Sequence, residues 1–191
     1  MPVINLKKGS GVSLKKEHPA LKKIHVGLGW DTISDTVDLD VSAFALDLSS
    51  GKPPLTNESN FVFYNNLSTK DGSIKHMGDN RTGDGDGDDE VILVDLDKVT
   101  SDVGEIAFIV TIYNENTINT FKDVSNAFIR IVNDDTKVEI ARYSLNENFG
   151  GNLAVQFGSI IRNGKDWDFT AVGTGYNVGL EEILAQYGLK I

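Results

Sequence analysis

Residues 78–90 read Gly-Asp-Asn-Arg-Thr-Gly-Asp-Gly-Asp-Gly-Asp-Asp-Glu, and no core can be built from them. Six of the twelve positions from Asp79 to Glu90 are carboxylates, and glycines stand at 78, 83, 85 and 87. Two like charges about 4 Å apart repel by about 4 kcal/mol at an effective dielectric near 20. An ordered stretch of this kind needs something to offset that repulsion. A hard divalent cation does so, since calcium takes about 6–8 oxygen ligands in flexible geometry. Glycine lets the backbone curl until carbonyls and alternate Asp side chains converge. The competing reading is a solvated acidic loop, the usual state of a charge run. The spacing does not fit an EF-hand, which wants Gly at the sixth ligand-loop position and Glu at the twelfth. A loop begun at Asp84 has Asp89 at the sixth position, and one begun at Asp79 has Arg81 and Gly83 at ligand positions. The Gly-Asp pattern occurs only once, so it is no repeat-type calcium roll.

The rest of the chain must supply the core, and 191 residues suffice for one domain, 1–191. A net charge of -10 argues against nucleic acid or a bare anionic membrane as a direct partner. With no cysteine there is no disulfide, thiolate nucleophile or zinc–thiolate site. The first residues lack an apolar signal core and no run is long enough to span a bilayer, so a soluble intracellular protein is expected.

Short strand-like segments recur along the chain. Residues 3–6 and 12–14 are β-prone, and 15–19 read as a loop before Pro19. Segment 24–30 alternates Ile24, Val26 and Leu28 against His25 and glycines, as a half-buried strand does. Segments 41–48, 61–64 and 91–94 follow. Asp71-Gly72 marks a hairpin returning through 73–77. Segment 95–103 carries a helical pattern, with Asp95 as cap and Leu96, Val99 and Val103 on one side. Segment 106–113 is nearly all apolar, the mark of a strand buried on both faces. Segments 127–132 and 138–143 form a hairpin, as do 153–161 and 167–172. Leu180, Ile183, Leu184 and Tyr187 fall at helix spacing before Gly188. The expected fold is all-β, an antiparallel sandwich with a few short helices, including one at the C-terminus. Loops of a sandwich cluster at its ends, so Asp31, Asp38 and Asp40 can face the acidic stretch.

Gly27-Leu28-Gly29-Trp30-Asp31, Asp38-Leu39-Asp40-Val41-Ser42-Ala43-Phe44 and the acidic stretch resemble signature segments of the TerD family of tellurium-resistance and stress-response proteins. Segments 61–66, 110–113, 124–130 and 171–176 match it in the same colinear order. The resemblance implies a cytoplasmic, calcium-binding β-sandwich with no established catalysis. It implies sibling family proteins and an integral membrane protein of the same operon as partners, the inner face of the membrane being reached through that partner. Carried over residue by residue, the metal ligands are Asp31, Asp38, Asp40, Asp79, Asn80, Asp84, Asp86, Asp88, Asp89 and Glu90. Nine carboxylates exceed what one calcium accepts, so two ions are expected. Asn65 and Asn66 either close the site or end a strand in a turn. The chain departs from the family pattern at 146–152 and at Asn114-Glu115.

Two other functions compete. Asp38-Leu39-Asp40 mimics the Asp-x-Asp motif of magnesium-dependent phosphotransferases, but the parallel strand and crossover helices are missing. Calcium-dependent phospholipid binding would need basic or apolar loop tips, for which only Arg81 and Trp30 offer themselves. His18, His25 and His76 are scattered, with His76 read as a surface residue.

Overall fold

The computed structural model describes residues 2–32, 37–48, 55, 57–78, 87–113, 119–145 and 147–189. In chain order the elements are β1 (Ile4–Asn5), β2 (Gly11–Ser13), α1 (Leu14–Glu17), β3 (Lys23–Thr32) and β4 (Asp38–Leu46). There follow β5 (Phe61–Val62), β6 (Ile74–His76), β7 (Glu90–Asp95), β8 (Glu105–Tyr113) and β9 (Val124–Asn133). β10 (Glu139–Ser144), β11 (Ala154–Asn163), β12 (Asp166–Tyr176) and α2 (Leu180–Tyr187) complete the chain, with single 3-10 turns at Glu58–Asn60 and Phe121–Asp123.

The strands form two six-stranded sheets. One runs β1-β10-β9-β3-β7-β6, the other β2-β12-β11-β8-β4-β5. Every pairing is antiparallel except β1 with β10. The all-β sandwich read from the sequence is therefore what the chain adopts. The period of two places Ile24, Val26, Leu28 and Trp30 of β3 inside, facing Leu39, Val41 and Ala43 of β4 and Ile106, Phe108 and Val110 of β8.

A second, smaller core lies on the outer face of the second sheet, where α2 sets Ile183 and Leu184 against Phe44, Ala107, Ile109 and Ala154. The Phe44 ring lies 4.9 Å from Phe61 and 5.2 Å from Tyr187. An eight-residue helix does not hold alone in water. Burial of Ile183 and Leu184, worth about 1.5–3 kcal/mol each, supplies what is missing. Gly188 ends it in the left-handed region, φ 99°. With a core on each side, β8 is buried on both faces, as its apolar run requires.

Several local expectations are overturned. Residues 15–19 are not simply a loop, because α1 starts at Leu14. Its N-terminus is capped from far away: Asp166 accepts from the Ser13 hydroxyl (3.0 Å) and the Lys15 N–H (3.1 Å). Segment 95–103 makes two turns rather than a helix. Leu96, Val99 and Val103 are buried as the pattern asked, but the Leu96 N–H is committed to the Lys22 carbonyl (2.8 Å). The segment's carbonyls are taken by Arg162, which donates to Val99 (3.2 Å), Thr100 (2.9 Å) and Val103 (2.8 Å). The strand at 61–64 stops at Val62, since Phe63 and Asn66 close a tight turn. Trp30 is not a loop tip but a core residue, 3% exposed. Among the described residues no helix is long and apolar enough to cross a membrane.

Candidate cation site at the acidic end of the sandwich

β3 runs through Gly27 and Gly29 without ending, and these glycines explain how the acidic stretch returns to the sheet. A Cβ on Gly27 would overlap the Asp88 carboxylate, and one on Gly29 would lie 2.5 Å from the Phe128 ring and 2.9 Å from the Gly87 carbonyl. Residues 87–88 therefore cross the outer face of the first sheet directly over β3. Gly87 takes φ 123° at that crossing, a conformation open to glycine and strained for other residues.

The next two carboxylates cap strand edges. β7 pairs with β3 only as far as Leu28 opposite Glu90, and among the described residues no strand pairs with this β3 edge beyond it. There the Asp89 carboxylate accepts from the Trp30 N–H at 2.8 Å, while the Asp89 N–H donates to the Leu28 carbonyl at 2.8 Å. In the opposite sheet β5 covers only Ala43 and Phe44 of β4. Glu90 reaches across and accepts from the Val41 N–H at 2.6 Å. Its side chain is fully buried, as is His76, whose Nε2 lies 3.6 Å from Glu90 Oε2. The Gly78 N–H donates to His76 Nδ1 at 3.2 Å, which leaves the ring hydrogen on Nε2, facing Glu90. His76 is thus an interior residue, not a surface one.

Asp88 is engaged on both oxygens. Arg130 forks onto it at 2.7 and 2.9 Å, and His25 Nε2 meets Oδ2 at 2.7 Å. Burial alone would raise its pKa, but the hydrogen bonds from His25 and Arg130 outweigh burial and hold it below the usual carboxylate range. From Arg130 the network continues to Glu139 (3.0 Å), and Glu139 accepts a fork from Arg142 at 2.7 and 3.0 Å. Arg142 in turn lies over the Phe128 ring, 4.3 Å from its centroid.

The remaining acids at this end stand on strand termini. Asp38 and Asp40 open β4 on its outer face, opposite Tyr113 and Thr111. Asp31, near the end of β3, accepts from the Asn126 side-chain amide at 2.6 Å. Asn126 holds φ 51°, a left-handed conformation Asn tolerates better than most residues. Asp31 and Asp89 line a common cleft of about 490 Å³ together with Gly87, Asn126, Phe128, Arg142 and Ser144.

Of the ten residues singled out from the sequence, Asp31, Asp38, Asp40, Asp88, Asp89 and Glu90 are thus gathered at one end. Asp79, Asn80, Asp84 and Asp86 lie outside the described residues, as do Arg81, Asp35, Asn114 and Glu115. Among the described residues no three His, Asp or Glu side chains sit together as a metal site. The donors present are all oxygen, which suits a hard cation rather than a thiolate- or imidazole-seeking one. Asn66 is a turn residue, its amide donating to the Phe61 carbonyl at 2.6 Å.

Sequence reasoning missed His25, Arg130, Glu139, Arg142 and Asn126. Strand alternation puts His25 and Arg130 on outer faces, but no spacing reveals that they share a carboxylate 42 to 63 residues away.

Fold and site define a two-sheet sandwich that concentrates carboxylates where its sheets meet at one end. The TerD domain matches residues 2–187, and the chain belongs to that family. It is 49% identical to tellurium resistance protein TerD of Serratia marcescens, over 98% of both chains. It is 44% identical to general stress protein 16U of Bacillus subtilis (strain 168), again over 98% of each. A crystal structure of a homologue of telluride resistance protein from Streptomyces coelicolor A3(2) superposes with a TM-score of 0.66 at 24% identity, covering 87% of this chain and 96% of that one.

Proposed function

We propose that this protein is a calcium-binding module of the stress and tellurite response that works as an interaction scaffold, not as an enzyme. The observation that carries this reading is the double capping by Asp89 and Glu90, which ties the exit of the acidic stretch to both sheets. Asp31, Asp38, Asp40, Asp79, Asn80, Asp84, Asp86, Asp89 and Glu90 would hold the cation, two ions sharing carboxylates. Asp88, saturated by Arg130 and His25, acts as the anchor of the segment. When bound, the ion supplies charge neutralisation. The chain's own part is to hold the loop bases rigid, so that an ordered loop presents a fixed surface to a partner in the cytoplasm. Sibling family proteins and a membrane protein of the same operon are the partners this reading expects.

The competing functions lose support. Asp38 and Asp40 lie in an antiparallel sandwich strand, not after a parallel strand of an α/β sheet. Trp30, the apolar anchor a lipid-binding loop would use, is inside.

Thermal melts of chelator-stripped protein with calcium or magnesium returned test the proposal. Saturation at about 100 times the dissociation constant adds roughly 2.7 kcal/mol to the folded state. A large upward shift with micromolar calcium and little with millimolar magnesium is expected; no shift with either ion would end the calcium reading.

A further inference from the structure

The cleft beside the acidic end contains more than carboxylates. Its other wall carries Arg142 and Ser144, both near the end of β10. Arg142 is held in place before any ligand arrives. Glu139 takes its Nε and Nη2, and Phe128 lies against its plane. Its Nη1 makes no hydrogen bond among the described residues, so one edge of the guanidinium remains available. Asp88, Arg130, Glu139 and Arg142 form a chain of two negative and two positive groups, so Arg142 brings the cleft a directed donor and no net positive charge. Asn126, in its left-handed conformation, forms the rim and binds Asp31. A left-handed residue that fixes a cleft carboxylate fits a functional role.

A cleft of about 490 Å³ is larger than one ion requires, and most of its lining is polar. An anion entering it gains a guanidinium edge and a hydroxyl but meets Asp31 and Asp89. That repulsion disappears only when the acidic end carries a cation. We propose that the cleft binds a phosphomonoester dianion, with Arg142 Nη1 and the Ser144 hydroxyl donating to phosphoryl oxygens, and that it does so only in the cation-loaded protein. Arg142 Nη1 and the Ser144 hydroxyl give two points of attachment, one of them a charge-assisted hydrogen bond held in a fixed direction by the Glu139 fork. The inference rests on the calcium reading above and assigns that site a ligand.

The test is calorimetric titration of the full chain with calcium, then with glycerol 3-phosphate. Uptake of the ester after calcium loading and none in chelator is expected. Arg142→Gln should weaken ester binding about tenfold or more while calcium uptake persists, and Arg142→Lys should not restore it. Ser144→Ala, at an exposed position, should weaken it severalfold without touching the fold. Flotation with phosphatidylcholine vesicles, with and without phosphatidic acid, distinguishes the source. Capture only by the doped vesicles assigns the ester to a lipid headgroup, and binding only of the free ester assigns it to a soluble ligand. Normal calcium uptake with no ester or doped-vesicle binding would overturn this inference alone, as would equal binding by Arg142→Gln or in chelator. Absence of calcium uptake would overturn the calcium reading and this inference with it.

Discussion

Gly27 and Asp88 show how one hydrogen in place of a methyl group can decide where a loop goes. The alternation of 24–30 puts Gly27 and Gly29 on the polar face of a strand that is expected to end at Gly29-Trp30-Asp31. In the structure they let β3 continue while residues 87–88 pass over it. Nothing local in the sequence distinguishes a glycine that ends a strand from one that admits another backbone. Gly27→Ala should cost about 1–3 kcal/mol, as overpacking does, by pushing Asp88 off Arg130 and His25. Combining it with Asp88→Ala removes the overlapping carboxylate, so the double variant should lose less than the two single losses added together. Chemical denaturation of the four proteins measures this, and strict additivity would refute the overlap. Glu90 is a related case. Its place in the acidic stretch was legible, but its bond to a strand of the other sheet was not, because that requires knowing that β5 is too short to cover β4.

At the scale of elements, periodicity named the buried positions more dependably than the conformation. β8, the β9–β10 and β11–β12 hairpins and α2 follow directly from their apolar spacing. The 95–103 segment has the right buried residues in the wrong shape, since Leu96, Val99 and Val103 satisfy a helix or a pair of turns equally. Arg162 decides between them by taking three carbonyls, and it also stacks on Trp167 at 4.1 Å. Arg162→Met should therefore destabilise the protein by about 2–4 kcal/mol, the sum of charged hydrogen bonds and a cation–π contact. Arg162→Lys should recover little of it, because an ammonium cannot span three acceptors. A Lys variant with the parental melting temperature would remove Arg162 from this role. α1 has the same lesson: its cap, Asp166, is 151 residues from Lys15 and lies beyond any local reading.

Over the whole molecule, the chain's excess of acid is handled by pairing where it is partly buried. Glu139 is the clearest case. Burial alone would raise its pKa, but the Arg142 and Arg130 hydrogen bonds and charges outweigh burial and lower it. Asp71 is lowered in the same way by the Ser73 and Thr69 bonds that close its turn. A carboxylate whose folded pKa lies below its unfolded value adds stability above the unfolded pKa, and that contribution is lost as pH falls through the folded one. The melting temperature should thus hold steady down to about pH 5 and fall steeply below about pH 4. Glu139→Gln should start lower at neutral pH and lose less on acidification. An equal acid slope in the two proteins would show that Glu139 is not among the groups responsible.

The strand partnerships also set an order of assembly. β2 pairs with β12, and Ser13 meets Asp166 across 153 residues; β1 lies beside β10, and β3 has β9 and β7 as neighbours. During synthesis the early strands leave the ribosome long before the chain that completes their sheets has been made. The first sheet cannot close until β9 and β10 emerge, nor the second until β12 does. The growing chain therefore carries unpaired strand edges until Ser144 has emerged for the first sheet and Tyr176 for the second, and such long-range pairing makes folding slow.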